Sequence, residues 1–384
     1  MPTMQASSSA NGEGARKIQT VALVYGGQSG EHEVSCVSAT YLEQTIAEAG
    51  FTVIPVYVAR DGIWHWQNRV GKLPAENLSN PSALTRTDSG VILRSANNAI
   101  KVDFAFPIVH GTAGEDGSLQ GYFEVLGLPY AGAGVATSAV CMDKALMRAL
   151  FAVNGIPQVR YFVISGEEAA RISDIDEQIR KGFGYPVFIK PCNMGSSVGV
   201  HKVKSAAELP AALADAARFD DHLLCEQGLS VRELEIAVAG NYPHYITSGV
   251  GEIVVKHDFY SYEAKYIDPD GAALHLKAPI DAELENSIRR LATEAFAAVR
   301  GEGFARIDFF LDKDTGALFL NEINTLPGFT PISMFPQLFK AAGESGAAIT
   351  RKIIEWGAAR FARLTRLHSA GRTEVSVREQ ATAR

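Results

Sequence analysis

Cysteine is scarce: the 384 residues contain four, Cys36, Cys141, Cys192 and Cys225, scattered without CxxC or Cys/His spacing. Their scatter excludes a disulfide framework and a zinc site and fits a reducing, cytoplasmic setting. Positive charge is not in excess either. With 36 Lys and Arg against 43 Asp and Glu the formal net charge is −7, so general nucleic-acid binding is not expected. No uninterrupted apolar run approaches the roughly 20 residues that span a bilayer, and no membrane segment is expected. The loop pattern Gly-x-x-x-x-Gly-Lys-Ser/Thr is missing, and so is Gly-x-Gly-x-x-Gly with an acidic residue about twenty positions later. Those absences exclude a P-loop NTPase and count against a dinucleotide-dependent oxidoreductase. What remains is an ordinary folded composition, 47% apolar and 21% charged, with length for two or three domains at roughly 150 residues each.

The first sixteen residues, MPTMQASSSANGEGAR, have no apolar core and read as a disordered tail rather than a secretory signal. Ile18 to Tyr25 is a β-rich apolar run that ends at Gly26-Gly27 and leads into a helical pattern over 31–49 and a second strand over 51–58. This order predicts a parallel βαβ unit, whose ligands collect at the carboxyl ends of the strands. A strand over 103–109 delivers His110. Residues 66–100 read as an elaboration of the first domain with one short apolar stretch, Val91 to Leu93. Beyond a boundary near 132 the pattern predicts a helix over 138–154, strands over 159–163, 187–190, 222–226, 233–239, 304–311 and 318–323, and helices over 282–300 and 345–364. Ser205 and Glu208 have the spacing of a capping box for a helix over 205–219. From 363 onward the apolar periodicity is lost and the chain is expected to fray.

Three constellations carry chemistry. Lys190-Pro-Cys-Asn-Met-Gly-Ser-Ser-Val-Gly199 places a cation at a strand end before a small loop whose amides can approach phosphate oxygens, although such a loop alone is as readily a hairpin turn. Arg306 and Asp308 share one face of a strand, as do Glu322 and Asn324 on the next. Two carboxylates and an amide are oxygen donors suited to Mg²⁺, and the apolar residues flanking them argue against a solvated surface pair. His110-Gly-Thr-Ala-Gly-Glu-Asp-Gly-Ser-Leu-Gln-Gly121 puts four glycines at a strand exit and helix onset, a place that favours an anion. Taken alone, His110 reads as a structural residue sooner than a catalyst; Glu31, His32 and Glu33 open the first helix, and the two acids read as its dipole partners.

Together these blocks resemble the D-alanine:D-alanine ligases of the ATP-grasp superfamily. The resemblance rests on GGQSGEHEVS at 26–35, HGTAGEDGSLQG at 110–121, MDK at 142–144, IKPCNMGSSVGV at 189–200, EAKY at 263–266, and GFARIDFF with FLNEINTLPGFTPISMFP between 303 and 336. It implies an α/β protein of three domains: a Rossmann-like N-terminal parallel-sheet domain (17–132), a central ATP-grasp subdomain (133–230) and a C-terminal ATP-grasp and metal-binding domain (231–366), followed by a tail (367–384). ATP would lie between the last two domains, under a lid between Ile253 and Gly271.

The resemblance also implies roles. Lys144, Lys190 and Lys265 contact phosphates, with Ser197 in the covering loop; Glu226 holds the adenine amino group and Glu233 the ribose. Asp308, Glu322 and Asn324 are ligands of two Mg²⁺ (or Mn²⁺) ions, with any monovalent cation left open. Glu31 pairs with the ammonium of the first D-alanine and forms a triad with Ser196 and Tyr266. Arg306 donates to the tetrahedral oxyanion, Ser333 and the backbone of Met334 anchor the second D-alanine, and His110 lies near the acyl phosphate. The implied reaction phosphorylates one D-alanine and joins it to another, for peptidoglycan precursor synthesis, in a cytoplasmic homodimer. Related ligases make D-alanyl-D-lactate or D-alanyl-D-serine, and a non-catalytic nucleotide-binding relative is the remaining alternative. Val231, where Gly is common, and Met334, where Leu is common, are the departures from the family pattern.

Overall fold

The structure, a computed structural model, describes residues 18–71, 81–255 and 272–382. Its first sheet is the βαβ unit. β1 (Thr20–Gly26) and β2 (Thr52–Val58) run parallel in the register Thr20↔Thr52, joined through α1 (His32–Glu48). β7 (Phe104–Pro107) lies parallel on the other side of β1, and the short β3 (Trp64–Trp66) closes the far edge in the order β3-β2-β1-β7. Val21 to Gly26 are all buried, as expected of a strand covered on both faces. β1 ends where it does because Gly26 takes φ +94°, and a Cβ there would stand 2.3 Å from the Val58 carbonyl oxygen. A side chain at that turn would collide with fixed backbone.

The elaboration at 66–100 contains a three-stranded antiparallel sheet, β4 (Ser82–Thr87), β5 (Gly90–Ser95) and β6 (Ala99–Val102). Leu84, Val91, Leu93 and Val102 pack with Ala22, Val24 and α2 (Ser118–Leu126), covering one face of the parallel sheet.

The predicted helix over 138–154 is two helices, α3 (Val135–Met142) and α4 (Lys144–Val153). Asp143 is extended, and its carboxylate accepts the Ala145 and Leu146 amides, so it ends one helix by capping the next. Both helices feed the core of the C-terminal sheet through Cys141, Met147 and Phe151. The central sheet is antiparallel, β10-β9-β11-β8, from β8 (Tyr161–Ser165), β9 (Val187–Pro191), β10 (His201–Val203) and β11 (His222–Gln227). α5 (Ile172–Gly182) and α6 (Leu209–Ala216) bury Ile175, Ile179 and Leu213 against it in a core of its own. The capping box at Ser205 does not form. Residues 205–208 make a turn, the Glu208 carboxylate accepts the Lys204 amide at 2.7 Å, and α6 begins at Leu209, with Pro210 in the first turn where its missing N–H costs nothing.

The third unit is a five-stranded antiparallel sheet, β14-β13-β12-β15-β16: β12 (Val231–Asn241), β13 (His244–Val255), β14 (Ala272–His275), β15 (Gly303–Asp312) and β16 (Leu318–Asn324). α7 (Ala282–Ala298) packs on one face. On the other, α8 (Met334–Ala341) and α9 (Gly346–Thr382) share a core with β1, β7 and α1, in which Phe106, Phe304, Phe329 and Phe335 meet. The expected fraying after 366 is not seen up to Thr382. Residues 346–382 contain no proline, and with Ala and Arg prevailing the helix continues past its last buried residues. Among the described residues no helix is long and apolar enough to cross a membrane.

Candidate active site

The central and C-terminal sheets enclose a cavity of about 730 Å³ lined by Lys144, Lys190, Glu226, Glu233, Arg306 and Glu322, among others. Its floor is β15 against β16, where Arg306 pairs with Asn324 and Asp308 with Glu322 before a bulge at Asp308/Phe309. Strand alternation puts Arg306 and Asp308 on one face, and the guanidinium grips the carboxylate bidentately, Nε to Oδ1 at 2.7 Å and Nη2 to Oδ2 at 2.6 Å. Its Nε lies 3.2 Å from Glu235 on β12. Burial works to strip the charge from Arg306, but Asp308 and Glu235, with Glu322 beyond, hold its pKa well above the usual arginine value. Asp308 and Glu322 with the Asn324 amide form an oxygen donor set that fits a hard divalent cation. Asn324 Oδ1 also accepts the Leu326 amide at 3.0 Å, which fixes its orientation.

One wall is the loop after β9. Lys144 stands at the first position of α4, where the helix end adds positive potential. Its Nζ donates to the Met194 carbonyl at 2.6 Å and its amide to Cys192 at 3.0 Å. Asp220 holds the loop from the other side, accepting the Asn193 amide at 2.6 Å and its side-chain nitrogen at 3.1 Å. Between these anchors Ser196 and Ser197 take φ of 51° and 60°, left-handed values uncommon for residues with a Cβ. Cys192 is buried beneath, its thiol pushed up to about 12 by burial, so it stays inert as the sequence suggests.

The tip of this loop meets the N-terminal sheet. Ser196 Oγ donates to Glu31 Oε1, and Glu31 stands at the N-terminal end of α1, its side chain making no capping hydrogen bond, close to Ser29, whose hydroxyl donates to the His110 carbonyl at 2.6 Å. His110 itself is buried. Its Nδ1 is 3.0 Å from the Leu326 carbonyl and 3.4 Å from Glu115, and its Nε2 is 3.2 Å from Ser38 Oγ. A carbonyl only accepts, so Nδ1 carries a proton. Burial raises the pKa of Glu115, and the hydrogen bond from His110 offsets part of that rise. Ser38 also accepts the Phe329 amide at 3.3 Å, which ties His110 to the turn before α8. On that turn Ser333 Oγ accepts the Thr330 amide at 3.0 Å, and Met334 opens the helix with its side chain buried, leaving its amide rather than its thioether for a ligand.

Of the sequence-derived site residues, Lys144, Lys190, Ser196, Ser197, Glu226, Glu233, Arg306 and Glu322 line the one cavity. Asp308 and Asn324 adjoin it on β15 and β16, Glu31 reaches it through Ser196, and His110 and Ser333 sit on the turn network at its side. Lys265, Tyr266 and residues 256–271 of the expected lid lie outside the described residues, and its first residues, Ile253 to Val255, end β13. Three charged residues escaped the sequence reading. Arg148 forms a buried ion pair with Glu226, Glu235 backs Arg306, and Asp220 anchors the loop. Arg148 carried a signal, since it falls four residues after Lys144 on the same helical face.

The sequence matches the family described as D-ala D-ala ligase N-terminus over residues 20–133 and that described as D-ala D-ala ligase C-terminus over 150–355. It is 42% identical over 355 residues to the D-alanine–D-alanine ligase of Heliobacterium modesticaldum, covering 89% of this chain and 95% of that one. The D-alanine–D-alanine ligase A of Chromobacterium violaceum is 43% identical over 351 residues, covering 87% and 94%. Among solved structures, the D-alanine–D-alanine ligase from Coxiella burnetii superposes with a TM-score of 0.83 at 30% identity, covering 94% and 99%. The VanG D-Ala:D-Ser ligase from Enterococcus faecalis superposes at 0.78 with 33% identity, covering 89% and 100%. Two antiparallel sheets closed around one charged cavity, with these neighbours, define an ATP-dependent ligase of ATP-grasp fold. The chain belongs to the D-alanine–D-alanine ligase family.

Proposed function

We propose that this enzyme joins two D-alanine molecules at the cost of one ATP, for peptidoglycan precursor synthesis. The observation that carries the reading is the hydrogen bond between Ser196 and Glu31, which brings a phosphate-covering loop to a carboxylate able to take an α-ammonium group. A carboxylate oxygen of the first D-alanine attacks the γ-phosphorus, the bond to the β-phosphate oxygen breaks, and ADP leaves. The amine of the second D-alanine then attacks the acyl phosphate carbon, loses a proton, and inorganic phosphate departs as the peptide bond forms. Lys144, Lys190 and Lys265 draw charge from the phosphates, Ser197 offers its amide, and Glu226 and Glu233 hold adenine and ribose. Asp308, Glu322 and Asn324 would hold two Mg²⁺ (or Mn²⁺) ions, which when bound neutralise phosphoryl oxygens.

Arg306 donates to the tetrahedral oxygen. Tyr266 completes the Glu31–Ser196 pair, and Ser333 with the Met334 amide, at a helix N-terminus, receives the second carboxylate. With both ring nitrogens engaged, His110 positions that turn beside the acyl phosphate. We assign the three expected domains to substrate, nucleotide cover and metal floor, and place the enzyme as a cytoplasmic homodimer.

The test is ATP-dependent phosphate release with Mg²⁺ and D-alanine, the product identified by mass. Dialanine from D-alanine alone supports the reading; no release with any D-amino acid overturns it. A second reading, D-alanyl-D-serine synthesis, draws on the similarity to the VanG D-Ala:D-Ser ligase, and a mixed product in preference to dialanine when D-serine is added would favour it. Ser196→Ala removes a charge-assisted hydrogen bond of about 1.5–3 kcal/mol. We expect kcat/KM for D-alanine to fall roughly ten- to a hundredfold in steady-state kinetics while ATP affinity changes less.

A further inference from the structure

Glu226 divides its two oxygens between two cations. Oε1 accepts Lys190 Nζ at 2.7 Å and Oε2 accepts Arg148 Nη2. The side chains of Arg148 and Glu226 are 2% exposed, that of Lys190 13%. Lys190 Nζ also lies 5.6 and 5.9 Å from the rings of Phe188 and Phe310 at the cavity wall. Arg148 comes from the far side, on α4, with its guanidinium 5.6 Å from the Tyr161 ring. Its Nε and Nη1 are buried and have no hydrogen-bond partner among the described residues. A guanidinium with donors left over in a buried place serves through its charge more than through its hydrogen-bonding capacity. Arg148 also falls outside the sequence blocks that carry the family resemblance.

We propose that Arg148 is a positioning residue that keeps Lys190 available to ATP, an inference that rests on Lys190 being a phosphate ligand. A buried carboxylate with a single cation does not release it, because departure strands an uncompensated charge in a low-dielectric site. Arg148 cannot be deprotonated and does not line the cavity. It therefore neutralises Glu226 whether or not Lys190 is in place, and the lysine can turn to the phosphates without stranding the carboxylate. Two cations on one anion also leave this trio with a net positive charge before the nucleotide arrives, which attracts polyphosphate. Adenosine, which has no phosphate, makes no demand on this exchange.

The test measures equilibrium binding of Mg-ATP, inorganic triphosphate and adenosine to the full-length protein. Arg148→Met should weaken Mg-ATP and triphosphate at least about tenfold and adenosine less than about threefold. Arg148→Lys should restore triphosphate binding to within about threefold of wild type. Lys190→Met should cost less in the Arg148→Met background than alone, because the lysine is already sequestered. Should Arg148→Met fail to fold, Arg148→Met with Glu226→Gln buries no lone charge and should bind triphosphate as wild type does. Equal losses for adenosine and triphosphate, an indifferent Arg148→Met, or a double variant that binds triphosphate no better than Lys190→Met would each overturn the proposal. Wild-type protein that binds neither Mg-ATP nor triphosphate would instead overturn the nucleotide reading on which it stands.

Discussion

Glu322→Gln is expected to leave the protein folded and to lower ATP-dependent phosphate release at least about a thousandfold. The substitution conserves shape. Glu322 is half-buried on β16 opposite Asp308, at the wall of the cavity rather than in a packed core, so an amide of the same size leaves the sheet undisturbed. What changes is charge. Phosphoryl transfer from ATP to a carboxylate brings two anions together, and it proceeds only where metal ions and cations offset their repulsion. An amide binds a hard divalent ion far more weakly than a carboxylate. Thermal unfolding within a few degrees of wild type, with single-turnover phosphate release lost, is the expected pair of results. Activity within tenfold of wild type would remove Glu322 from the metal-holding set.

Arg306→Met is expected to cost both stability and rate, and the two losses come apart in a second variant. Asp308 and Glu235 are 9% and 4% exposed, and both face the guanidinium. Removing one member of a buried ion network costs about 3–5 kcal/mol, which urea unfolding would read directly. Arg306→Lys returns a charge but not the planar fork that grips Asp308 through two nitrogens. It should therefore recover most of the stability while kcat stays about a hundredfold or more below wild type, the usual cost of losing an oxyanion donor. A lysine variant with near-normal kcat would mean that Arg306 serves the sheet and not the reaction.

How far the sequence foretold these features depended on the range of the interaction. The βαβ unit was legible because period and turn residues lie side by side, from the apolar β1 to Gly26-Gly27 and the amphipathic α1. The facing carboxylates of β15 and β16 were legible for the same reason, since five residues separate one strand from the next. The break at Asp143 was missed because the periodicity of α3 and α4 continues across it, although an Asp before a helical run is itself a capping signal. Ser205 misled in the opposite way, because the capping spacing is present while Pro210 sets the helix start four residues later. Arg148 was marked by its spacing from Lys144, but nothing local marked it as a buried charge. In KALMRALF an arginine looks like a solvent-facing residue, and only Glu226, 78 positions away on β11, shows that it points inward.

The shared core of the first and third units, closed by Phe106, Phe304, Phe329 and Phe335, makes those two units one body, whereas the central sheet keeps a core to itself. The hydrogen bond from Ser196 to Glu31 runs between that body and the central sheet, from the loop proposed to cover phosphate to the carboxylate proposed to face the first D-alanine. A ligand whose binding strengthens this contact favours any second ligand that also binds better with the contact made. Linkage then fixes a reciprocity: the factor by which bound nucleotide changes the affinity for the first D-alanine must equal the factor by which D-alanine changes the affinity for nucleotide.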